Sequence, residues 1–406
     1  MNRLFLSILL AAVTVTGCKG TGAAATGTGD TSGAGPVETR PPNTAYKPAF
    51  EGQTRVKGVK TRAAYTTKVI ATELKRPWGI AAMPDGRLLI TEKSGTMRIT
   101  TPAGQLSQPI TGLPPVADAG QGGLLDVALD PQFATNRMVY WSFSHPTGDG
   151  GKNLTAVARG MLAQDERTIQ NATIIYQATP AYDNSMHFGS RIVFDREGNI
   201  FLSTGERSDL ETRPQAQDKT SGLGKIIRIT PTGQPAAGGA VSSSRPEIYS
   251  YGHRNPQGLA IHPETKALWE TEMGPRGGDE LNIITAGKNY GWPTIGYGIE
   301  YRGEKVGAGI TQQAGMEQPL YYWDPVLSPS GMTFYTGTGI PEWKNNLFIC
   351  GLNSQHIARI VLDGTKVVGE ERLLADEGQR FRDIAQGTDG YLYAVTDGGR
   401  LYRIGK

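Results

Sequence analysis

The chain has few of the residues and motifs on which many common sites depend. Its 406 residues include two cysteines and five histidines. It contains no Walker A loop, no Gly-x-Gly-x-x-Gly motif after a strand, no His-Glu-x-x-His, no Cys-x-x-Cys and no Gly-x-Ser-x-Gly nucleophile elbow. ATP, a nicotinamide cofactor and structural zinc therefore have no support in the sequence.

Long helical periods and an excess of one charge are also missing. The net charge is +3, from 41 basic and 38 acidic residues that are spread along the chain. A nucleic-acid partner would require basic residues gathered on one face, so none is expected. The 54 glycines and 25 prolines instead favour many short strands joined by turns. At this length the chain forms either two domains or a fold that grows by repetition.

The first residues are typical of an export signal. Arg3 precedes an apolar run from Leu4 to Val15 that is too short to span a bilayer, and Cys18 follows shortly after it. Residues 1–17 thus resemble a bacterial lipoprotein signal peptide, which is cleaved before a cysteine that then carries lipid. A plain signal peptide is the alternative. Lipid on Cys18 would anchor the exported chain in the cell envelope, and Lys19 favours the outer membrane by resemblance to other lipoproteins.

Residues 18–60 are expected to form a flexible tether, and residues 61–406 the folded domain. From Lys19 to about Thr44 the chain is rich in Gly, Thr, Ala and Pro, so it cannot bury enough apolar surface to fold. If Cys18 is lipidated, only Cys350 remains as a thiol. No internal disulfide can then form.

One pattern recurs six times in the predicted domain: a small or glycine-rich start, an alternating apolar strand, a turn such as Asp-Gly or Gly-Asn, and a second apolar strand. The copies lie at residues 78–92, 123–141, 190–203, 257–269, 330–349 and 382–395. They begin about 45 to 75 residues apart, which suits a four-stranded blade with its loops. The chain is therefore predicted to be an all-β, six-bladed β-propeller. A pair of β-sandwiches is the alternative.

Two segments at strand entrances carry candidate catalytic groups. His187 precedes the third copy, where it could act as a general base near neutral pH or be a surface histidine bonded to backbone. Arg254 and Asn255 precede the fourth copy. They could hold an oxyanion or a quinone oxygen, or they could clamp two blades together.

Oxygen donors that would suit calcium lie further along. Gly274 and Pro275 form a turn that exposes backbone carbonyls, and Asp279 and Glu280 add carboxylates. The spacing of an EF-hand is absent. The segment is therefore a candidate calcium loop of another kind.

A pair of arginines forms a candidate anion site. Arg380 and Arg382 alternate, so on a strand both would face the same side, where two cations repel unless an anion lies between them. A ligand with several carboxylates would supply that anion. The alternative is a solvated strand edge on which Asp383 or Glu377 pairs with the arginines.

Together these segments resemble the soluble quinoprotein glucose dehydrogenases, and most closely the bacterial PQQ-dependent aldose sugar dehydrogenases. The likeness runs from about Pro77 to Arg403. Its most specific parts are His187-Phe188-Gly189, residues 251–258, and residues 272–280 with 287–293. The resemblance implies a propeller enzyme that uses PQQ and Ca²⁺ to oxidise aldose sugars at C1 to lactones, with an electron acceptor that the sequence does not identify.

The resemblance also implies roles for the site residues. His187 would remove the proton of the C1 hydroxyl while hydride passes to C5 of PQQ, and Arg254 would stabilise the charge that develops. Gln121 would contact PQQ or the substrate. The other residues expected to contact PQQ are Asn255, Tyr301, Leu352, Asn353, Ser354, Arg380 and Arg382. Calcium would be bound by the carbonyls of Gly274 and Pro275 and, at a second site, by Glu280 and the carbonyl of Tyr290.

Two residues depart from the family pattern. Met186 stands where glucose dehydrogenases place an Asp before the histidine, so either another group orients the base or the base is weaker. The sugar dehydrogenase branch commonly lacks this Asp. Asn353 stands where a Lys is usual, and the loss of one cation is expected to weaken PQQ binding by about 1 to 3 kcal/mol.

Two other functions are open at this point. A calcium-dependent propeller lactonase would need several carboxylates and asparagines on one metal, whereas this chain supplies carbonyls and arginines. A non-catalytic, lipid-anchored binding module would keep the propeller and lose the chemistry. Loops at residues 209–218 and 296–313 are expected to set the sugar specificity, and the chain is expected to be a monomer or else a dimer.

Overall fold

The computed structural model describes residues 35–238, 241 and 243–406, which form six sheets around a common centre. The strands of the first half are β1 (Thr66–Ala71), β2 (Pro77–Ala82), β3 (Leu88–Glu92), β4 (Thr96–Thr100), β5 (Leu124–Leu129), β6 (Met138–Pro146), β7 (Asn153–Leu162), β8 (Ile169–Gln177), β9 (Gly189–Phe194), β10 (Ile200–Thr204), β11 (Lys225–Ile229) and β12 (Ile248–Tyr251). Those of the second half are β13 (Pro256–Ile261), β14 (Leu268–Glu272), β15 (Asp279–Ile284), β16 (Tyr321–Trp323), β17 (Pro329–Phe334), β18 (Leu347–Gly351), β19 (Ile357–Asp363), β20 (Lys366–Leu373), β21 (Phe381–Gln386), β22 (Leu392–Thr396) and β23 (Leu401–Gly405).

Each sheet is one antiparallel blade, and we number the blades I to VI in chain order. Blade I has strands β2 to β4, and blades II to V have four consecutive strands each, from β5 to β20. Blade VI combines β21 to β23 with β1, which pairs with the last strand of the chain. The inner strands β2, β5, β9, β13, β17 and β21 contact one another in a closed ring. The prediction of an all-β, six-bladed propeller is confirmed, and each sequence copy covers parts of the first two strands of one blade.

The core lies between neighbouring blades. The second strands of blades I, III, IV, V and VI are buried along their whole length, because both faces of each are covered. Each of these strands begins with apolar residues, but in blades I and IV it ends at a buried glutamate. Short helices occupy only the connections: α1 (Phe133–Asn136) and three 3-10 turns at Arg213–Ala216, Pro341–Trp343 and Ala375–Glu377. Among the described residues no helix is long and apolar enough to cross a membrane.

Inside the ring, a buried group of charged residues joins the inner strands; we call it the central ionic cluster (Asp126, Arg191 and Asp383). Arg191 Nη1 lies 2.7 Å from Asp126 Oδ1 and 2.7 Å from Asp383 Oδ2. Asp126 also accepts a hydrogen bond from the Ile192 backbone N–H, and Asp383 accepts one from that of Ile80. Blades I, II, III and VI are therefore tied together by hydrogen bonds to charged groups.

Residues 35–60, which the sequence assigns to the flexible tether, lie against blades IV and V. Gln53 is fully buried and donates to the carbonyl of Pro319, while the backbone N–H groups of Asn43 and Thr44 donate to Asp324. The backbone of Val59 donates to that of Glu370. The segment is poor in large apolar residues, but its polar side chains and backbone groups form these hydrogen bonds with the propeller. The folded body therefore includes residues that precede the expected boundary at residue 61.

Candidate active site

The topology gathers all the candidate residues at one end of the propeller, which we call the mouth. His187, Arg254 and Arg380 lie at or just before the start of an inner strand. The turn between the second and third strands of each blade returns to the same end because the strands are antiparallel. The turns after β14 and β18 place Gly274 and Asn353 there. The expectation that the site lies where the inner strands begin is thus consistent with the arrangement.

His187 is buried and paired with a carboxylate. Its Nδ1 lies 2.5 Å from Glu206 Oε1, in the turn after β10, and its side chain is 4% exposed. The carboxylate accepts a hydrogen bond from Nδ1–H, so the lone pair of the neutral ring lies on Nε2. Within the described residues Nε2 has no hydrogen-bond partner, which leaves it available as a proton acceptor. Burial, followed by the charge of Arg254, lowers the pKa of His187 to about 4, while Glu206 acts in the opposite direction. At neutral pH the imidazole is therefore neutral, as a general base requires.

The backbone around His187 is held by two other candidate residues. The His187 N–H donates to Gln121 Oε1 at 2.9 Å, and the Gly189 N–H donates to Asn255 Oδ1 at 3.0 Å. His187 adopts a positive φ of 47°. Gly205 packs against its carbonyl so closely that a Cβ there would lie 2.1 Å from the oxygen. Gln121 and Asn255 thus position the base in this structure.

Arg254 spans the mouth between blades III and IV. Its Nη1 donates to the carbonyls of Met273 and Gly274, at 3.0 and 2.7 Å, and its guanidinium lies 5.2 Å from the Trp292 ring. Nε is buried without a partner in the described part of the chain. Arg213 stacks against the same ring from the loop at residues 209–218. Arg254 therefore presents a fixed positive charge beside the base, and the expected calcium ligand Gly274 is hydrogen bonded to it.

The residues expected to bind calcium line one cleft together with Arg254. These are Gly274, Pro275, Glu280 and Tyr290. Glu280 belongs to a group of carboxylates on β14 and β15 that we call the acidic cluster (Glu270, Glu272 and Glu280, with Asn282). Glu270 Oε1 and Asn282 Oδ1 are buried without a hydrogen-bond partner in the described residues.

Burial and, after it, charge repulsion act on the acidic cluster. Burial and the neighbouring Glu272 raise the pKa values of Glu270 and Glu280 well above their usual range. Within the described chain no Lys or Arg side chain pairs with either carboxyl. Glu272 has partners of its own, because it accepts from the Arg254 backbone N–H at 2.5 Å and lies 3.1 Å from His253 Nδ1. A hard cation such as Ca²⁺ binds oxygen ligands, so it would use the unsatisfied lone pairs and neutralise the crowded carboxylates.

Arg380 and Arg382 do converge, but on a residue that the sequence reasoning missed. Asp397, directly after β22, accepts from Arg380 Nε at 2.9 Å and from Arg382 Nε at 2.8 Å. The alternative partners expected for the arginines are wrong, since Asp383 pairs with Arg191 and Glu377 with Arg400. Asp397 neutralises only one of the two positive charges.

The last candidates are brought to the mouth without contacting the base. Leu352 is buried and its N–H donates to the carbonyl of Ser328, whereas Asn353 is exposed. Ser354 Oγ is buried with no partner in the described residues. Tyr301 is 70% exposed on the loop at residues 296–313. Of these side chains, those of Asn353 and Tyr301 are exposed to solvent, whereas Leu352 and the Ser354 hydroxyl are buried.

Glu206 and Asp397 were not predicted, although a regular signal exists. His187 and Glu206 are 19 residues apart, as are His253 and Glu272, because a side chain at the start of an inner strand meets the turn that follows the second strand. Arg380 and Asp397 are 17 apart. By contrast, no hydrogen bond among the described residues joins Met186 to the His187 ring. Glu206 is therefore the group that orients His187 in place of the missing Asp.

Fold and site define a six-bladed propeller with a carboxylate-paired histidine and a cationic mouth. Residues 74–403 match the family model described as glucose / sorbosone dehydrogenase. The chain belongs to this family, which confirms the predicted membership and the prediction of a sugar-oxidising enzyme class.

Individual relatives agree with this assignment. The chain is 42% identical to the aldose sugar dehydrogenase YliI of Escherichia coli over 349 residues, which cover 84% of this chain and 93% of that one. The apo-form structure of the soluble aldose sugar dehydrogenase from Escherichia coli superposes with a TM-score of 0.80 at 41% identity, covering 84% and 99% of the two chains. The PQQ-bound aldose sugar dehydrogenase from Streptomyces coelicolor superposes with a TM-score of 0.70 at 30% identity, covering 85% and 99%.

Proposed function

We propose that the protein oxidises aldose sugars at C1 to lactones with PQQ as cofactor and Ca²⁺ as metal, and that His187 is the general base. The observation that carries the proposal is the buried His187–Glu206 pair, in which the His187 Nε2 has no hydrogen-bond partner among the described residues. A histidine held in one tautomer by a carboxylate accepts a proton at its other nitrogen and stabilises the resulting imidazolium. The family assignment and the PQQ-bound relative support the choice of substrate and cofactor.

The mouth fits an anionic quinone with several carboxylates. Arg254 has a buried, unpartnered Nε, and Arg380 and Arg382 share one carboxylate between two positive charges. When bound, PQQ supplies an electron acceptor for the hydride of the sugar C1. Arg254 would hold a quinone oxygen and stabilise developing negative charge, while Arg380 and Arg382 would bind carboxylates.

The neutral residues would complete the binding of cofactor and sugar. Asn255 and Gln121 keep the His187 backbone in place and present amide groups beside it. Tyr301, Ser354 and the exposed Asn353 would contact the cofactor, with the buried Leu352 as the anchor of the turn that carries Asn353 and Ser354.

Calcium fits the cleft beside Arg254. Glu280 and the carbonyl of Tyr290 line it together with the carbonyl donors Gly274 and Pro275. The unsatisfied oxygens of the acidic cluster are a local reason to expect a cation at the Glu280 side. At the other position, a cation would share the Gly274 carbonyl with Arg254. A Lewis acid at this place would polarise a bound carbonyl oxygen.

Export and lipid attachment at Cys18 remain part of the proposal, although Cys18 lies outside the described residues. They would place the enzyme in the cell envelope, with the outer membrane favoured. The acceptor of the electrons is not assigned, and a monomer is expected.

The test is dye reduction by the full-length protein with PQQ, Ca²⁺ and a panel of aldoses. Replacing the base (His187→Ala) should lower kcat by about 100- to 10,000-fold. Glu206→Gln should lower kcat by at least about tenfold, because the amide carries no charge to stabilise the protonated ring. His262→Gln, at the other end of blade IV, is the matched histidine control and should retain activity.

The pH profile separates a chemical role from a structural one. Since the pKa of His187 is lowered to about 4, the base is neutral above that pH. The wild-type rate should therefore stay level from about pH 5 upward and fall as the pH drops through about 4, and Glu206→Gln should shift that fall to lower pH. PQQ binding without sugar oxidation by the wild type would instead favour the non-catalytic binding module.

A further inference from the structure

One cation at the mouth has no role in the proposed mechanism. Lys93 directly follows β3, in the turn of blade I that corresponds to the turn of Asp397 in blade VI and to that of Leu352 in blade V. In all three blades the first residue of this turn donates its N–H to the residue that precedes the inner strand. The three pairs are Lys93 to Arg76, Asp397 to Arg380 and Leu352 to Ser328. Lys93 thus lies at the same end of the propeller as the cofactor residues.

The side chain of Lys93 is bound to the loop that holds the base. Nζ donates to the carbonyl of Gly120 at 2.7 Å, and the next residue, Gln121, accepts the hydrogen bond of the His187 N–H. The Lys93 carbonyl accepts from the Leu124 N–H at 2.8 Å. Gly123 packs directly against the Lys93 carbonyl, because a Cβ on residue 123 would lie 2.4 Å from the Lys93 carbonyl oxygen. The backbone of Lys93 is therefore held between blades I and II.

No carboxylate in the described residues neutralises Lys93. The two acidic residues that act on it, Asp118 and Asp397, already have arginine partners. Asp118 pairs with Arg76, and Asp397 pairs with both Arg380 and Arg382. Burial, followed by the charges of Arg382 and Arg76, lowers the pKa of Lys93 to about 8. An ammonium with three donors and one carbonyl partner, crowded by other cations, is a binding group for an external anion.

We propose that Lys93 binds a carboxylate of the anionic cofactor and supplies the positive charge that Asn353 lacks in the equivalent turn of blade V. The proposal rests on the proposed function, since the ligand is PQQ. On this proposal Lys93 compensates for the charge that is absent at Asn353, and the expectation of weaker cofactor binding is decided by the binding experiment.

The experiment measures PQQ binding to the calcium-loaded apoprotein by quenching of tryptophan fluorescence, without sugar. Lys93→Gln should weaken binding by about tenfold or more, because a charged hydrogen bond is lost. Lys93→Arg should bind within about threefold of wild type. Lys366→Gln, at an exposed turn of blade V far from the mouth, is the matched control and should not change affinity.

Two further readouts separate binding from folding. Placing the cation in the other blade, as Asn353→Lys in the Lys93→Gln background, should restore most of the affinity, which a merely misfolded variant would not show. Affinity should also fall less steeply with added salt in Lys93→Gln than in wild type, since fewer charges are neutralised.

The outcomes are distinguishable. Equal affinity of Lys93→Gln and wild type, with wild type binding PQQ, overturns the role of Lys93 and leaves the proposed function standing. Absence of PQQ binding by the wild type refutes the proposed cofactor itself.

Discussion

Two groups of buried carboxylates lie in this propeller, and they are built differently. In the central ionic cluster, Asp126 and Asp383 share Arg191, and both also accept backbone hydrogen bonds. In the acidic cluster, Glu270 and Glu280 have no Lys or Arg partner among the described residues, and Glu270 keeps an unsatisfied oxygen.

The difference separates a structural from a binding role. Buried charges are tolerated when they are paired and hydrogen bonded, and an unpaired group must otherwise protonate or bind an ion. The central ionic cluster brings its own cation and is closed to exchange. The acidic cluster has no such cation among the described residues, and Glu280 lines the cleft at the mouth, where the proposed cation would bind. Three changes test this contrast.

Removing Arg191, the cation of the central ionic cluster, should lower the free energy of unfolding the most. Arg191→Met leaves two buried carboxylates unpaired and should lower the free energy of unfolding by about 3 to 5 kcal/mol in urea denaturation. Adding Asp126→Asn and Asp383→Asn to Arg191→Met should recover part of the loss, because the uncompensated charge is gone. A change below about 1 kcal/mol in the single variant would contradict the structural role of the cluster.

Removing the Ca²⁺ proposed for the acidic cluster should lower the stability of the protein by a smaller amount. At about 100 times its Kd, Ca²⁺ should stabilise the wild type by about 2.7 kcal/mol relative to a chelator, followed by thermal unfolding. Glu280→Gln should abolish most of this gain, while Glu51→Gln, an exposed surface control, should keep it. An equal calcium response in Glu280→Gln and wild type would exclude Glu280 as a ligand.

The smallest expected effect is a change of stability with pH that is due to Asp126. Burial, against the opposing charge of Arg191, raises the pKa of Asp126 to about 7. The folded state therefore retains a proton that the unfolded chain has lost, so this contribution to stability is full below about pH 4 and is lost as the pH rises through about 7. Asp126→Asn cannot titrate. Urea denaturation in chelator should show the wild type losing stability relative to this variant between pH 5 and 8, and a constant difference would contradict the raised pKa.

Much of the fold was predictable from local patterns. Six copies of strand, turn and strand identify the blades because Asp-Gly and Gly-Asn turns and alternating apolar residues act over a few positions. The pairing of β1 with β23 was not predictable in the same way, since it joins residues more than 300 positions apart. The packing of residues 35–60 was missed because Gln53 and Asn43 use polar contacts that composition does not reveal.

The order of residues along the chain specifies which groups are available at the mouth. His187, Arg254 and Arg380 precede recognisable inner strands, so their common location follows from the repeat. Their partners depend on how the loops pack once the blades have closed into a ring. Glu206 orients His187, Asp397 joins the arginines and Gly120 accepts from Lys93, each from a different loop. The reason is physical: a blade brings together a strand start and a turn some 17 to 19 residues later, and charge pairing depends on distances that only the closed ring defines.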